Sequence, residues 1–133
     1  KIEKRGRRAG LTNLRGIRLE ISYLTEYLLP RDSVSAFHIY FPDPWPKMRH
    51  RQNRLINERF AEVLRGASQP RGVIHLRTDD FDYFAQMQSV FDANVHFAPI
   101  ETPEELARVT TDFERDFNAK GVPTNRASYE KID

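Results

Sequence analysis

An aromatic and β-branched run, Ala36-Phe-His-Ile-Tyr-Phe41, stops abruptly at Pro42. Such a run reads as a buried strand, and the proline, with its fixed φ and no N–H to give a ladder, turns the strand's end into a loop. A second run of the same kind, Gly72-Val-Ile-His-Leu-Arg-Thr78, comes after a segment of helical period, Asn53 to Arg65. There Leu55, Ile56, Phe60, Val63 and Leu64 share one stripe, closed by Gly66. Strand, helix, strand is a βαβ unit. Its repetition predicts an α/β fold in which a parallel sheet has right-handed connections, helices on both faces, and ligands beyond the carboxyl ends of its strands.

The rest of the chain fits that alternation. Lys1 to Ala9 suits the last turns of a helix ended by Gly10, Gly16 to Glu20 alternates as a short strand, and Ile21 to Leu29 is helical until Pro30. Asp80 is placed to cap a helix through about Phe91, with Phe84, Met87 and Phe91 inward, and Ala93 to Pro99 reads as an edge strand. Thr102-Pro-Glu-Glu105 has the pattern of a capped helix start, which predicts a helix from Pro103 toward Lys120, ended by Gly121 and Pro123. The tail to Asp133 is either a last edge strand or loosely held. With 133 residues, 39% of them hydrophobic, the chain is expected to form one domain, residues 1–133. Lacking cysteine, it has no disulfides, thiolate metal sites or thiol nucleophiles, in keeping with a reducing cytoplasm. No apolar run reaches the roughly 20 residues that span a bilayer, so no membrane partner is expected. The formal net charge of +2 is too small to name a partner by itself. The chain opens on Lys1 and directly inside a helical pattern, so an upstream segment is expected.

The alternation places Glu20, Asp43 and Asp79 at or just past the ends of three proposed strands, and hence along one rim of the sheet. Asp43 lies in Phe41-Pro-Asp-Pro-Trp-Pro-Lys-Met-Arg-His50, where three prolines stiffen the loop and would hold the carboxylate in one place. Between prolines in an arbitrary protein an aspartate is more often only a turn residue. Trp45 suits either the core beneath the loop or a platform for a flat base, and Lys47, Arg49, His50, Arg51 and Arg54 form a cationic cluster suited to RNA phosphates, which Arg59 extends. His38, His75 and His96 sit in strand patterns and read as core or solvent-facing residues, so no metal site is expected.

On these residues the chain resembles the bacterial tRNA (guanine-N7)-methyltransferase family, whose hallmark is the FPDPWPK-x-RH segment at the end of a central strand. Further family features recur in order: Gly10-Leu-Thr-Asn-Leu14, an acid at Glu20, Thr78-Asp79, and Thr111-Asp-Phe-Glu114 followed by Gly121-Val-Pro123. The resemblance covers nearly the whole chain as a carboxyl-terminal portion. It implies a Rossmann-like class I methyltransferase sheet lacking its first β-α-β unit, S-adenosylmethionine as cofactor, and a variable-loop guanine of tRNA as substrate. By the same resemblance Asp43 is catalytic, Glu20 and Asp43 approach the cofactor, and Lys47, Asp79, Thr111, Asp112, Phe113 and Glu114 contact the RNA. Two departures stand out. Arg51-Gln52-Asn53-Arg54 replaces a denser cationic run, and Glu20 stands where the family has aspartate or asparagine.

Guanine N7 carries an in-plane lone pair, so methylation needs no general base; alignment and electrostatics suffice, and a fixed carboxylate favours the cation that forms. The rival readings are an RNA-binding module without cofactor binding and a structural α/β interaction domain. Without the glycine-rich cofactor loop, residues 1–133 alone are expected neither to bind S-adenosylmethionine tightly nor to methylate tRNA, and the expectation for the gap is either an upstream segment that is present but disordered or a homodimer or partner chain that covers it.

Overall fold

The computed structural model describes residues 1–133. In chain order it has α1 (Ile2–Arg8), α2 (Ile21–Tyr23) continued by a π-turn over Leu24–Leu28, β1 (Val34–Tyr40), a 3-10 segment over Met48–Asn53, α3 (Glu58–Ala67) and β2 (Ser68–Thr78). There follow α4 (Phe81–Asp92), β3 (Phe97–Ile100), α5 (Glu104–Arg108), α6 (Asp112–Asn118) and β4 (Asn125–Lys131). No helix is long and apolar enough to cross a membrane.

The strands make one sheet in the order β1-β2-β4-β3. β1 and β2 are parallel, with Phe37 opposite Ile74 and Ile39 opposite Leu76, whereas β4 is antiparallel to both β2 and β3. The sheet is therefore mixed, and the expectation of an all-parallel sheet holds only for the β1–α3–β2 unit. One face carries the core: Ile74, Leu76 and Tyr129 meet Ile56, Phe60 and Leu64 around α3 and Tyr83, Met87 and Phe91 of α4. The other face is polar. It presents His38, Tyr40, His75 and Arg77, and Arg77 reaches the α5–α6 region.

Several sequence expectations are corrected. Gly16 to Glu20 is not a strand: no other strand lies beside it to complete a ladder, and Glu20 instead caps α2 through bonds from the Ser22 and Tyr23 N–H groups at 3.0 and 2.8 Å. β1 is less buried than its composition suggests, with Ser35, Ala36 and His38 exposed, because it is the sheet's outer strand and pairs only with β2. The tail is neither an edge strand nor loose, since β4 lies between β2 and β3. The helix expected from Asn53 begins at Glu58, where the Asn57 side chain caps it. The single helix expected from Pro103 to Lys120 is two, and the Thr102 hydroxyl does not cap the first; it bonds Ser128 at 2.8 Å. Asp80 does cap α4, and the edge strand expected over Ala93 to Pro99 is present but shifted, to Phe97–Ile100.

Candidate active site

Because β1 and β2 are parallel, their carboxyl ends share one edge of the sheet, Tyr40 standing opposite Arg77. Asp43 and Asp79 follow those ends, so the rim expected from sequence exists for these two acids. Glu20 reaches the same region by another route. It lines a cleft of about 610 Å³ together with Asp43, Trp45, Asn53, Arg54 and Phe60. Asp79 is not part of that lining and stands apart along the rim.

The loop bearing Asp43 is strained and braced. Phe41 and Trp45 have φ of +55° and +43°, left-handed values that are costly for bulky residues and persist only where the surroundings enforce them. On one side, the Phe41 N–H donates to the Arg77 carbonyl at 2.8 Å, and its ring packs edge-on against Phe113 and Phe117 at 5.0 and 5.5 Å. On the other side Arg54 holds the loop. Its Nε donates to the Pro44 carbonyl at 2.6 Å, while its Nη atoms reach Gln86 at 2.9 Å and Asp82 at 2.8 Å, and its guanidinium lies 4.8 Å over the Tyr83 ring. The Arg54 hydrogen bond first, and then the charges of Arg51 and Arg54, hold the Asp82 carboxyl below the usual carboxylate range against the opposing effect of burial. The prolines thus set the loop's shape, and Arg54 fixes it to α4.

This placement corrects the reading of Arg54 as a phosphate contact: it is 2% exposed and turned inward, because a buried guanidinium must spend its donors on protein acceptors. Arg51 is also partly engaged, 3.1 Å from Asp82, and Arg59 is paired with Glu26 at 3.0 Å. His50 lies edge-on to Trp45 at 5.8 Å. Lys47 and Arg49 remain exposed and without an acidic partner.

The Thr111–Glu114 segment reaches the same end of the sheet through Phe113, which is exposed and touches Phe41. Thr111 and Glu114 form a reciprocal capping box: the Glu114 N–H donates to Thr111 Oγ1 at 3.1 Å, and the Thr111 N–H to Glu114 Oε2 at 2.8 Å. Glu114 is fully buried and also accepts from Arg77 at 2.9 Å and Arg126 at 3.0 Å. Burial pushes its carboxyl up, but the Thr111 N–H and the Arg77 guanidinium draw it down further, so it lies below the usual range. A direct RNA contact for Glu114 is therefore corrected, since its oxygens are enclosed. Asp112 is exposed and pairs with Arg115.

Sequence reasoning missed Arg77, Asp82 and Arg126. The available signal was Arg77 itself: a cation inside an otherwise apolar strand implies a buried partner.

The comparisons with known proteins decide the family. A family model described as "Putative methyltransferase" matches residues 1–127. The chain belongs to this methyltransferase family. It is 35% identical over 108 residues to the tRNA (guanine-N(7)-)-methyltransferase of Nitrosospira multiformis, covering 79% of this chain and 47% of that protein. To the protein of the same name from Nitrosomonas eutropha it is 36% identical over 118 residues, 86% of this chain and 51% of the relative. A third, from Syntrophotalea carbinolica, is 47% identical over 75 residues, 56% of this chain and 32% of the relative. This methyltransferase chain thus spans about half the length of the curated relatives it matches.

Proposed function

We propose that the protein containing this chain transfers a methyl group from S-adenosylmethionine to N7 of a guanine in tRNA, in the cytoplasm. The observation that carries the reading is the loop at Pro42–Pro46: an exposed carboxylate, Asp43, on the rim of a cleft, bracketed by two non-glycine residues in left-handed conformation and tied down by Arg54. Strain of that kind clusters where a side chain must be aimed.

The residues present fit one side of such a cofactor. Glu20 and Asp43 line the cleft; Glu20 uses one lone pair of each oxygen for a backbone N–H, leaving acceptor capacity for hydroxyl groups, and those two bonds keep its carboxyl below the usual range. Bound there, the cofactor supplies an electrophilic methyl group. The chain's own residues orient and stabilise. Asp43 faces the purine, accepts hydrogen bonds from N1–H and the N2 amino group, which adenine lacks as a set, and favours the positive charge that the ring acquires. Since N7 attacks with its own lone pair, no side chain has to remove a proton. In this reading Lys47 and Arg49 meet phosphates, and Asp79, Thr111, Asp112 and Phe113 contact the RNA elsewhere.

The test is a pair of variants in the full-length protein. Asp43→Ala is expected to lower turnover about 100-fold or more while unfolding at the wild-type midpoint, and Asp43→Asn should recover part of the binding without the charge effect. Near-normal transfer by folded Asp43→Ala would refute the assignment.

A further inference from the structure

We propose that the segment Lys1–Arg18, built on α1 and the turn after it, is a phosphate-binding surface, the main one of this chain, and a docking face for RNA separate from the cleft; this rests on the tRNA reading above. The chain has 21 Lys and Arg against 19 Asp and Glu. Seven of those cations and one acid, Glu3, fall in residues 1–18, so fourteen cations against eighteen acids remain in residues 19–133. Residues 19–133 are therefore net acidic, and the excess positive charge of this chain is segregated into one hook.

The ion pairs sharpen the contrast. Of the fourteen cations outside the hook, ten stand within 4 Å of a carboxylate, leaving only Arg31, Lys47, Arg49 and Lys120 unpaired. Within the hook only Arg7 is paired, loosely, with Glu3 at 3.8 Å. Lys4, Arg5, Arg8, Arg15 and Arg18 are exposed and have no acid. A cation already neutralised by a carboxylate gains little from a phosphate, whereas an unpaired one attracts it and releases the nucleic acid's counterions.

The hook has a defined shape. The Leu11 N–H returns to the Gly6 carbonyl at 2.9 Å, the Gly16 N–H to Glu3 at 2.9 Å, and the Leu14 side chain lies so close to Gly6 that an added Cβ would stand 2.6 Å from it. Helix stability explains only part of the charge. Arg5, Arg7 and Arg8 complement the negative end of α1, but Lys1 and Lys4 oppose its positive end. A membrane surface is the poorer partner, because α1 carries one apolar side chain, Ile2, and no stripe to insert.

The experiment uses the full-length protein, wild type and a variant with Arg5, Arg8, Arg15 and Arg18 changed to Gln, titrated with tRNA, with poly(U) and with phosphatidylserine vesicles between about 50 and 200 mM salt. We expect at least tenfold weaker binding of both RNAs at the low-salt end. The log–log salt slope should be shallower by roughly 0.7 to 0.9 for each lost phosphate contact, with unchanged cofactor affinity and unfolding midpoint. The control variant Arg31→Gln/Lys120→Gln should bind like wild type. Equal slopes for wild type and hook variant overturn the proposal, as does a loss confined to binding of phosphatidylserine vesicles. Because poly(U) has no guanine, a slope change there supports the surface even if tRNA proves not to be methylated, which separates its failure from failure of the functional reading.

Discussion

Arg54 shows what a single residue's chemistry hides. In the sequence it is one more cation after the DPWPK loop; in the fold its side chain is 1% exposed and its donors are divided among Pro44, Gln86 and Asp82. Residue type is legible in a sequence, but direction is not, and Asp82 lies 28 positions away. Arg54→Met should leave the Pro44 carbonyl without its donor, at a cost of about 1–3 kcal/mol in urea unfolding. If the proposed methyl transfer holds, turnover of the full-length protein should fall more than tRNA affinity does, since the loop loses its brace and not its cations. A variant that binds tRNA poorly but turns over normally once saturated would restore Arg54 to the phosphate-contact role. The position of Asp43, by contrast, is legible from sequence, because prolines on both sides and a strand before them fix where the loop emerges.

Elements were legible where their signals are local. The Asp80 cap of α4 and the apolar stripe of α3 are patterns within a few residues, and they hold apart from the start of α3. The division of the last helical region was not, because Thr102-x-x-Glu105 and Thr111-x-x-Glu114 have the same capping spacing. Only the fold decides that the Thr102 hydroxyl is taken by Ser128 while Thr111 forms the true box. The position of β4 inside the sheet depends on pairing with β2 over a separation that no window of sequence sees. At the same junction, Glu114→Gln should cost about 3–5 kcal/mol, because it strips the charge partner from the buried Arg77 and from Arg126. The loop Val109–Thr111 should loosen as well, seen as faster amide exchange. Glu114 titrates below its unfolded range, so its contribution is complete above the ordinary carboxylate pKa, about 4.3, and is lost as pH falls through its folded value. An acid unfolding profile that is the same in Glu114→Gln as in wild type would remove it from this role.

At the scale of the whole molecule, two properties follow from how the faces are built. The polar face of the sheet stacks His38 on His75 at 4.9 Å, with Tyr40 and Ser128 on their Nδ1 atoms at 2.8 and 2.7 Å. Burial first, then the Arg77 charge, holds His38 below the ordinary imidazole range, and His75 is lowered by burial, His38 and Arg77. Both rings are therefore favoured neutral, and stability present above the unfolded imidazole pKa of about 6.5 should decline as pH falls through their folded values. His75→Gln should flatten that decline in thermal unfolding between neutral pH and the mildly acidic range, whereas an unaltered decline would assign it elsewhere. The second property is the separation of a cationic hook from a net acidic body, visible in the sequence as composition but meaningful only once ion pairs show which cations are spoken for. Neither replaces the proposal made for the site, that Asp43 on its braced loop directs methylation of a guanine in tRNA. Its most direct test is to incubate the full-length protein with unmodified tRNA and S-adenosylmethionine, digest the RNA to nucleosides and measure 7-methylguanosine by mass spectrometry. The wild-type protein is expected to form 7-methylguanosine and Asp43→Ala almost none; wild-type protein that binds both ligands yet forms none, or forms it equally without Asp43, would contradict the assignment.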